Sequence, residues 1–175
     1  VHDNNHKNFA AKGNIVASIP PGTGFMVLAT HDLEITDNDI KDNTTIGIGI
    51  VSYDLVAAMN EGEVQQEENI GGVQTVDNNY KLDTLYNGYP YKIKIHNNRF
   101  ANNNWFPDMS SDFGKLFMLK SFMNPPDIAF DGIADPNNAN REICINESGD
   151  IVFMDLDAAN DFANLSKDVK KYACQ

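Results

Sequence analysis

The chain has 175 residues, 42% of them apolar, which is enough for one domain with a hydrophobic core. Its formal net charge is −12, and its thirteen Lys and Arg residues are scattered along the chain. Such a surface repels phosphate backbones and anionic membranes, which argues against a nucleic-acid-binding protein. No apolar run approaches the ~20 residues that cross a bilayer, so the sequence predicts no transmembrane segment.

The chain opens with the polar segment VHDNNHKNFAAK, which contains no start methionine and no apolar signal region. The segment predicts a flexible N-terminal arm over residues 1–12, and its composition is typical of a mature or trimmed product. Residues 13–175 are expected to form a single β-rich domain.

Short apolar runs separated by Gly, Asn, Asp and Pro predict strands in the first hundred residues. The predicted strands are GNIVASI, GFMVLAT, TTIGIGIVS and YPYKIKIH, and DLVAAMN is a predicted short helix. In the third of these strands, over residues 44–52, isoleucines alternate with glycines, so one face is bare. No internal repeat is evident.

The last third predicts two amphipathic helices around a β-hairpin. The segment SSDFGKLFMLKSFM carries an apolar stripe, and REICINESGDIVFMDL reads as two strands joined by a tight turn. After Asp157, apolar residues recur at spacings of 4, 3, 4 and 3, which predicts a terminal helix. The expected fold is therefore α+β, with a mostly antiparallel sheet or sandwich, two helices in the C-terminal third and one disulfide.

The two cysteines predict the disulfide, because a terminal segment gains most from being tethered. A bond between Cys144 and Cys174 closes a loop of about 30 residues, which is worth roughly 3 kcal/mol. Disulfides persist outside the cytoplasm, so the sequence favours a secreted, periplasmic or cell-surface location. Three N-x-Ser/Thr sequons, at Asn43, Asn146 and Asn164, are candidate glycosylation sites.

No catalytic motif is complete. The segment PPGTG resembles the opening of a nucleotide-binding P-loop but lacks the lysine and hydroxyl that must follow it. The acidic segment DLEITDNDIKDN reads as a solvated turn, and its alternative is a Ca²⁺ site with Asp37, Asp39 and Asp42 as oxygen ligands. Carboxylate pairs such as Asp155 with Asp157 and Asp131 with Asp135 leave a hydrolase as a further alternative. The sequence favours a protein that is not an enzyme and needs no cofactor.

Aromatic residues among asparagines provide the candidate binding site. Rings offer contact area at low entropic cost, and amides supply hydrogen bonds, a combination that suits carbohydrate and protein surfaces. The candidate ligand-binding residues are Tyr89, Tyr91, Asn103 and Trp105, with Trp105 expected to be exposed because three asparagines precede it.

The end of the chain, with a cysteine in a strand, a hairpin and a cysteine after a helix, resembles the disulfide-closed end of pilin-type globular domains. The opening IVASIPPGTG departs from that pattern, because a pilin domain begins with a long amphipathic helix. The first hypothesis is therefore a secreted or surface-exposed binding module that recognises glycan or protein. The alternative is a subunit of an extracellular fibre, pilus or surface layer, assembled through the glycine-faced strand and the N-terminal arm.

Overall fold

The structure is a computed structural model, and it describes residues 1–10, 15–64, 86–103, 105–121, 126–137 and 143–174. Within these ranges, nine strands form three sheets in which all pairs are parallel. The strands are β1 (Thr23–Leu28), β2 (His31–Thr36), β3 (Asp39–Lys41), β4 (Ile46–Val51), β5 (Tyr91–His96), β6 (Arg99–Ala101), β7 (Ile128–Phe130), β8 (Ile143–Asn146) and β9 (Phe153–Asp155).

The chain winds as a parallel β-solenoid. Sheet 1 has the order β1-β4-β7-β9, sheet 2 has β2-β5-β8 and sheet 3 has β3-β6, so each successive turn adds one strand to a sheet. The prediction of a mostly antiparallel sheet or sandwich was wrong. The alternating pattern that suggested it arises because each solenoid strand has one face toward the core and one face away from it.

The predicted hairpin is also absent. Its two strands, β8 and β9, lie in different sheets, where β8 pairs with β5 and β9 pairs with β7. The predicted first strand is replaced by a 3₁₀ turn, Ile15–Ser18. The acidic segment DLEITDNDIKDN, which was predicted to be a solvated turn, instead contributes to β2 and β3.

Stacked apolar side chains fill the inside of the solenoid. In sheet 2, Ile35, Ile95 and Ile145 are in register and buried. Sheet 1 contributes a second row, in which Ile48, Ile128 and Phe153 are in register and buried. Because equivalent residues lie directly above one another, each turn buries the apolar face of its neighbours, as in other solenoids.

In the described part of the chain, two helices cover the outer face of sheet 1. They are α1 (Tyr53–Val64) and α2 (Asp112–Ser121), which match the predicted short helix and the first predicted C-terminal helix. A second apolar cluster joins them to the sheet and consists of Ile46, Val51, Leu55, Val56, Phe113, Phe117, Ala129, Met154 and Leu156. All six residues of β4 are consequently buried, including its glycines.

Ladders of side-chain amides hold the turns together. Asn98 Oδ1 accepts the backbone N–H of Asn38 at 3.0 Å, and in the next turn Glu147 Oε2 accepts the N–H of Asn98 at 2.8 Å. A second ladder runs from Asn4 through Asn43 to Asn103. These bonds satisfy backbone donors at the corners, where no strand partner is available.

The residue before each ladder asparagine has a left-handed backbone, with φ from 52° to 57°: these residues are Asp3, Asp37, Asp42, Asn97 and Asn102. Asp and Asn are the residues that tolerate this conformation best after glycine. The abundant asparagine therefore follows from the fold, which needs an Asx–Asn pair at each such corner.

The C-terminal segment closes one end of the solenoid. The predicted terminal helix is wrong: residues 158–160 and 169–172 form 3₁₀ turns, and Ser166 makes an antiparallel bridge with Asp155. The ring of Tyr172 packs against Phe130 and Phe153, while its hydroxyl donates to Asp155 Oδ2 at 2.6 Å. The predicted disulfide is confirmed and ties this segment to β8.

The first residues of the predicted arm contact the solenoid. The N-terminal ammonium donates to Asp39 O at 2.7 Å, and His2 bridges Lys41 in parallel. The side-chain amide of Asn5 donates to Asp42 O, and its Oδ1 accepts the backbone N–H of Thr44. Residues 1–5 thus extend sheet 3 by part of a turn.

Candidate functional site

An exposed pair of aromatic rings follows β6. The side chain of Trp105 is 73% exposed and that of Phe106 is 63% exposed, and their ring centroids are 6.4 Å apart with a tilt of 49°. We call these two residues the aromatic platform. Large aromatic side chains are normally buried, as Phe113, Phe117 and Phe130 are here, so this exposure is costly unless a ligand covers the rings.

The backbone that carries the aromatic platform is anchored to the start of β4. The N–H of Phe106 donates to Thr44 O at 3.1 Å, and the N–H of Asp108 donates to Thr45 Oγ1 at 3.1 Å. Pro107, between them, is buried. The rings therefore project from a fixed segment, which lowers the entropic cost of binding a ligand.

Polar side chains lie near the segment that carries the aromatic platform. Asn102 donates to Asp42 Oδ1 at 3.3 Å, and Thr44 Oγ1 donates to Asn5 Oδ1 at 3.0 Å. The platform thus combines apolar ring faces with amide and hydroxyl groups, which is the chemistry that a sugar ring requires.

The other predicted ligand-binding residues have structural roles or lie at another corner. Asn103 is a ladder residue, and its amide donates to Ile40 O at 2.8 Å. Tyr91 opens β5 and stacks on His31 with centroids 4.0 Å apart. Burial, and then a hydrogen bond with Asp54, raise the pKa of Tyr89. Sheet 1 lies between the corner near Tyr91 and the corner near Trp105, and its six-residue strands span about 17–20 Å, so Tyr89 and Tyr91 do not form one site with the platform.

A shallow depression of about 300 Å³ lies on the outer face of sheet 2. Its lining residues are Glu34, Lys94, His96, Cys144, Asn146 and Cys174. His96 Nε2 lies 2.8 Å from Glu34 Oε1, and this hydrogen bond lowers the pKa of Glu34. The Asn97 amide lies 3.1 Å from His96 Nδ1, so the proton of a neutral imidazole is placed on Nε2. Sequence analysis missed this cluster, because its residues come from three separate strands.

The predicted calcium ligands are separated in the structure. Asp37 and Asp42 occupy left-handed corners, and Asp39 pairs with Arg99 at 2.6 Å. No group of three or more His, Cys, Asp or Glu side chains that could hold a metal ion is found among the described residues.

One buried carboxyl group lies where the strands of sheet 1 end. Asp131 is fully buried and accepts the N–H groups of Ser52 at 2.6 Å and Ile133 at 2.9 Å. Burial raises its pKa to about 6, although these hydrogen bonds oppose the increase. The Asp131 carboxyl group stabilises this corner, because its oxygens accept hydrogen bonds from backbone N–H groups.

The other acidic residues that suggested a hydrolase are also engaged in structure. Asp155 accepts from Tyr172 and from the N–H of Asp157. Asp157 accepts from the amides of Asn160 and Asn164, which lower its pKa. Asp135 accepts from Asn87 at 3.1 Å.

The three sequons differ in exposure. Asn43 is fully buried within a ladder, so a glycan could not be attached to it in the folded chain. Asn146 and Asn164 are both exposed. The amide of Asn164 donates to Asp157 Oδ2 at 2.9 Å.

Comparisons with known proteins identify no relative: no family model, curated protein or solved structure matches the chain. Within the described ranges, none of the helices is both long enough and apolar enough to cross a bilayer. The fold and site thus define a parallel β-solenoid that has one end covered by a disulfide-tethered segment and carries an exposed aromatic platform.

Proposed function

We propose that this chain is a non-enzymatic binding module that acts outside the cytoplasm and recognises a glycan through the aromatic platform. The observation that carries the proposal is the exposure of two adjacent aromatic rings on an anchored segment. A pyranose presents an apolar C–H face that packs on such rings, while its hydroxyls bond to neighbouring polar groups.

The size of the platform favours a small ligand over a protein surface. A stable protein interface buries about 1,200–2,000 Å² and centres on several apolar anchors. Two exposed rings bordered by amides and hydroxyls are too few for such an interface and sufficient for one or two sugar rings. The disulfide supports the proposed location, because such bonds persist in oxidising compartments.

The alternative as a fibre subunit has less support. The glycine-faced strand β4 is buried between β1 and β7, so it is not free to pair with another chain. The end of the solenoid beyond β8 is covered by the C-terminal segment. A fibre subunit needs a pairing surface at each end of the solenoid, and the C-terminal segment covers one of these two ends.

A glycan array tests the proposal, followed by calorimetry with the best ligand. We expect Trp105→Ala and Phe106→Ala each to weaken binding at least about tenfold, as anchor aromatics do. Phe9→Ala is the matched control, because the ring of Phe9 is fully exposed but lies outside the platform. Unchanged affinity in Trp105→Ala, or binding to proteins but to no glycan, would refute the proposal.

A further inference from the structure

The two ends of the solenoid differ. At the C-terminal end, the last strand of sheet 2, β8, is contacted by the 169–172 turn and tied to Cys174. At the opposite end, β2 has β5 on one side and no strand or bridge on the other among the described residues. Free strand edges present unpaired backbone groups and act as templates for pairing.

The free backbone groups of β2 can be assigned from its pairing with β5. The N–H of Tyr91 donates to Thr30 O at 3.2 Å, and Tyr91 lies opposite His31. Parallel pairing alternates, so the N–H and C=O groups of Leu33 and the N–H of Ile35 point away from β5. Ile35 O accepts the side-chain amide of Asn98 at 2.8 Å, whereas no bond to the other three groups is found in the described part of the chain.

The ladder is also incomplete at this end. Each ladder side chain accepts the backbone N–H of the preceding turn: Asn98 accepts from Asn38, and Glu147 accepts from Asn98. Asn38 lies in the first turn, and among the described residues nothing donates to its Oδ1, whereas its amide donates to Thr36 O and Asn98 Oδ1. The missing donor would come from a residue placed one turn before Asn38.

We propose that the free edge of β2 binds a partner polypeptide strand that runs parallel to it and completes the turn that residues 1–5 begin beside β3. The partner strand places apolar side chains in register with Leu33 and Ile35, and its next corner donates an N–H to Asn38 Oδ1. Lysine suits its outward positions, since Asp32 already pairs with Lys92 at 3.2 Å on the other side. This proposal does not depend on the aromatic platform.

A suitable probe is the synthetic peptide YKIKIHNN, which has the sequence of residues 91–98 and ends before the edge of β3 that residues 1–5 occupy. This sequence already pairs with β2 from the opposite side, in a constant register of 60 residues. The control peptide is identical but carries a methyl group on the backbone nitrogen of Lys94. In the proposed register, this nitrogen donates to the carbonyl of Leu33.

The test measures amide hydrogen exchange at Leu33 and Ile35 in the full chain by NMR, with each peptide added to saturation or to a millimolar limit. We expect the unmodified peptide to slow exchange at both amides by roughly tenfold or more, and the methylated peptide to leave it unchanged. No slowing with the unmodified peptide would overturn the proposal. Equal slowing with both peptides would also overturn it, because that result indicates contact without strand pairing.

Discussion

Replacing Asn98 with alanine should destabilise the solenoid strongly. The side chain of Asn98 accepts two bonds from Asn38 and donates to Ile35 O at 2.8 Å and Glu147 Oε1 at 2.8 Å. Each such bond contributes about 1 kcal/mol net, and the groups left behind are partly buried. We therefore expect Asn98→Ala to lower the free energy of unfolding by about 3–4 kcal/mol.

A second variant, Asn98→Asp, tests the hydrogen bonds that the Asn98 side chain accepts separately from those that it donates. Aspartate keeps the acceptor for Asn38 but loses the donors and places a carboxylate beside that of Glu147. Since like charges repel, this variant should be less stable than Asn98→Ala at pH 7 and should recover stability near pH 4, where the two carboxyl groups can share a proton.

Urea unfolding followed by far-UV circular dichroism measures these changes. The matched control is Asn146→Ala, because Asn146 is exposed on β8 and outside the ladders, and we expect it to remain within about 0.5 kcal/mol of the wild type. The ladder account is refuted if Asn98→Ala is as stable as this control.

Three further predictions follow from the packing, the disulfide and the buried acid. Replacing Cys144 and Cys174 by serine should cost about 3–4 kcal/mol of unfolding free energy, because the closed loop spans 30 residues; equal stability of the reduced and oxidised chains would contradict this. Burial raises the pKa of Asp131 from 3.8 to about 6, so the unfolded chain loses this proton first and stability should fall by about 2–3 kcal/mol as pH rises from 4 to 7. Asp131→Asn should remove that part of the pH dependence in urea titrations, and an unchanged profile would exclude the raised pKa. Gly47→Ala should cost about 1–3 kcal/mol, because the added Cβ would lie 2.7 Å from Asp127 O, whereas Gly149→Ala meets nothing within 4 Å and should be neutral in thermal unfolding.

Local structure was predictable where the apolar pattern was clear. The alternating isoleucines of β4 and β5 and the stripe of α2 were identified from the sequence, and so was the disulfide. The exposure of Trp105 followed from its polar neighbours. These features depend on residues that are close in the sequence or on the chemistry of a single pair.

Strand direction and repeat were not predictable by the same reasoning. Residues 33–43 and 93–103 are equivalent in the structure, but only Ile35, Asn38 and Asn43 are identical to their partners in the repeat. A long insertion that includes α1 also separates the two copies. The Asx–Asn pairs at the corners were the signal that could have revealed the ladders.

Tertiary contacts explain why the predicted C-terminal helix does not form. The apolar spacing after Asp157 fits a helix, but Asp157, Asp161 and Phe162 adopt left-handed φ values between 51° and 59°. These turns allow Tyr172 to reach the core and bind Asp155. Packing of one aromatic ring over the open end of the solenoid overrides the local helical preference.

The fluorescence of Trp105 tests the central claim most directly, because it is the only tryptophan in the chain. The emission should be recorded while the best glycan from the array is added, with the affinity measured in parallel by calorimetry. If the platform binds the glycan, the emission shifts to shorter wavelength and saturates at the calorimetric affinity. Binding in the calorimeter with no change in Trp105 emission would place the ligand elsewhere and contradict the account.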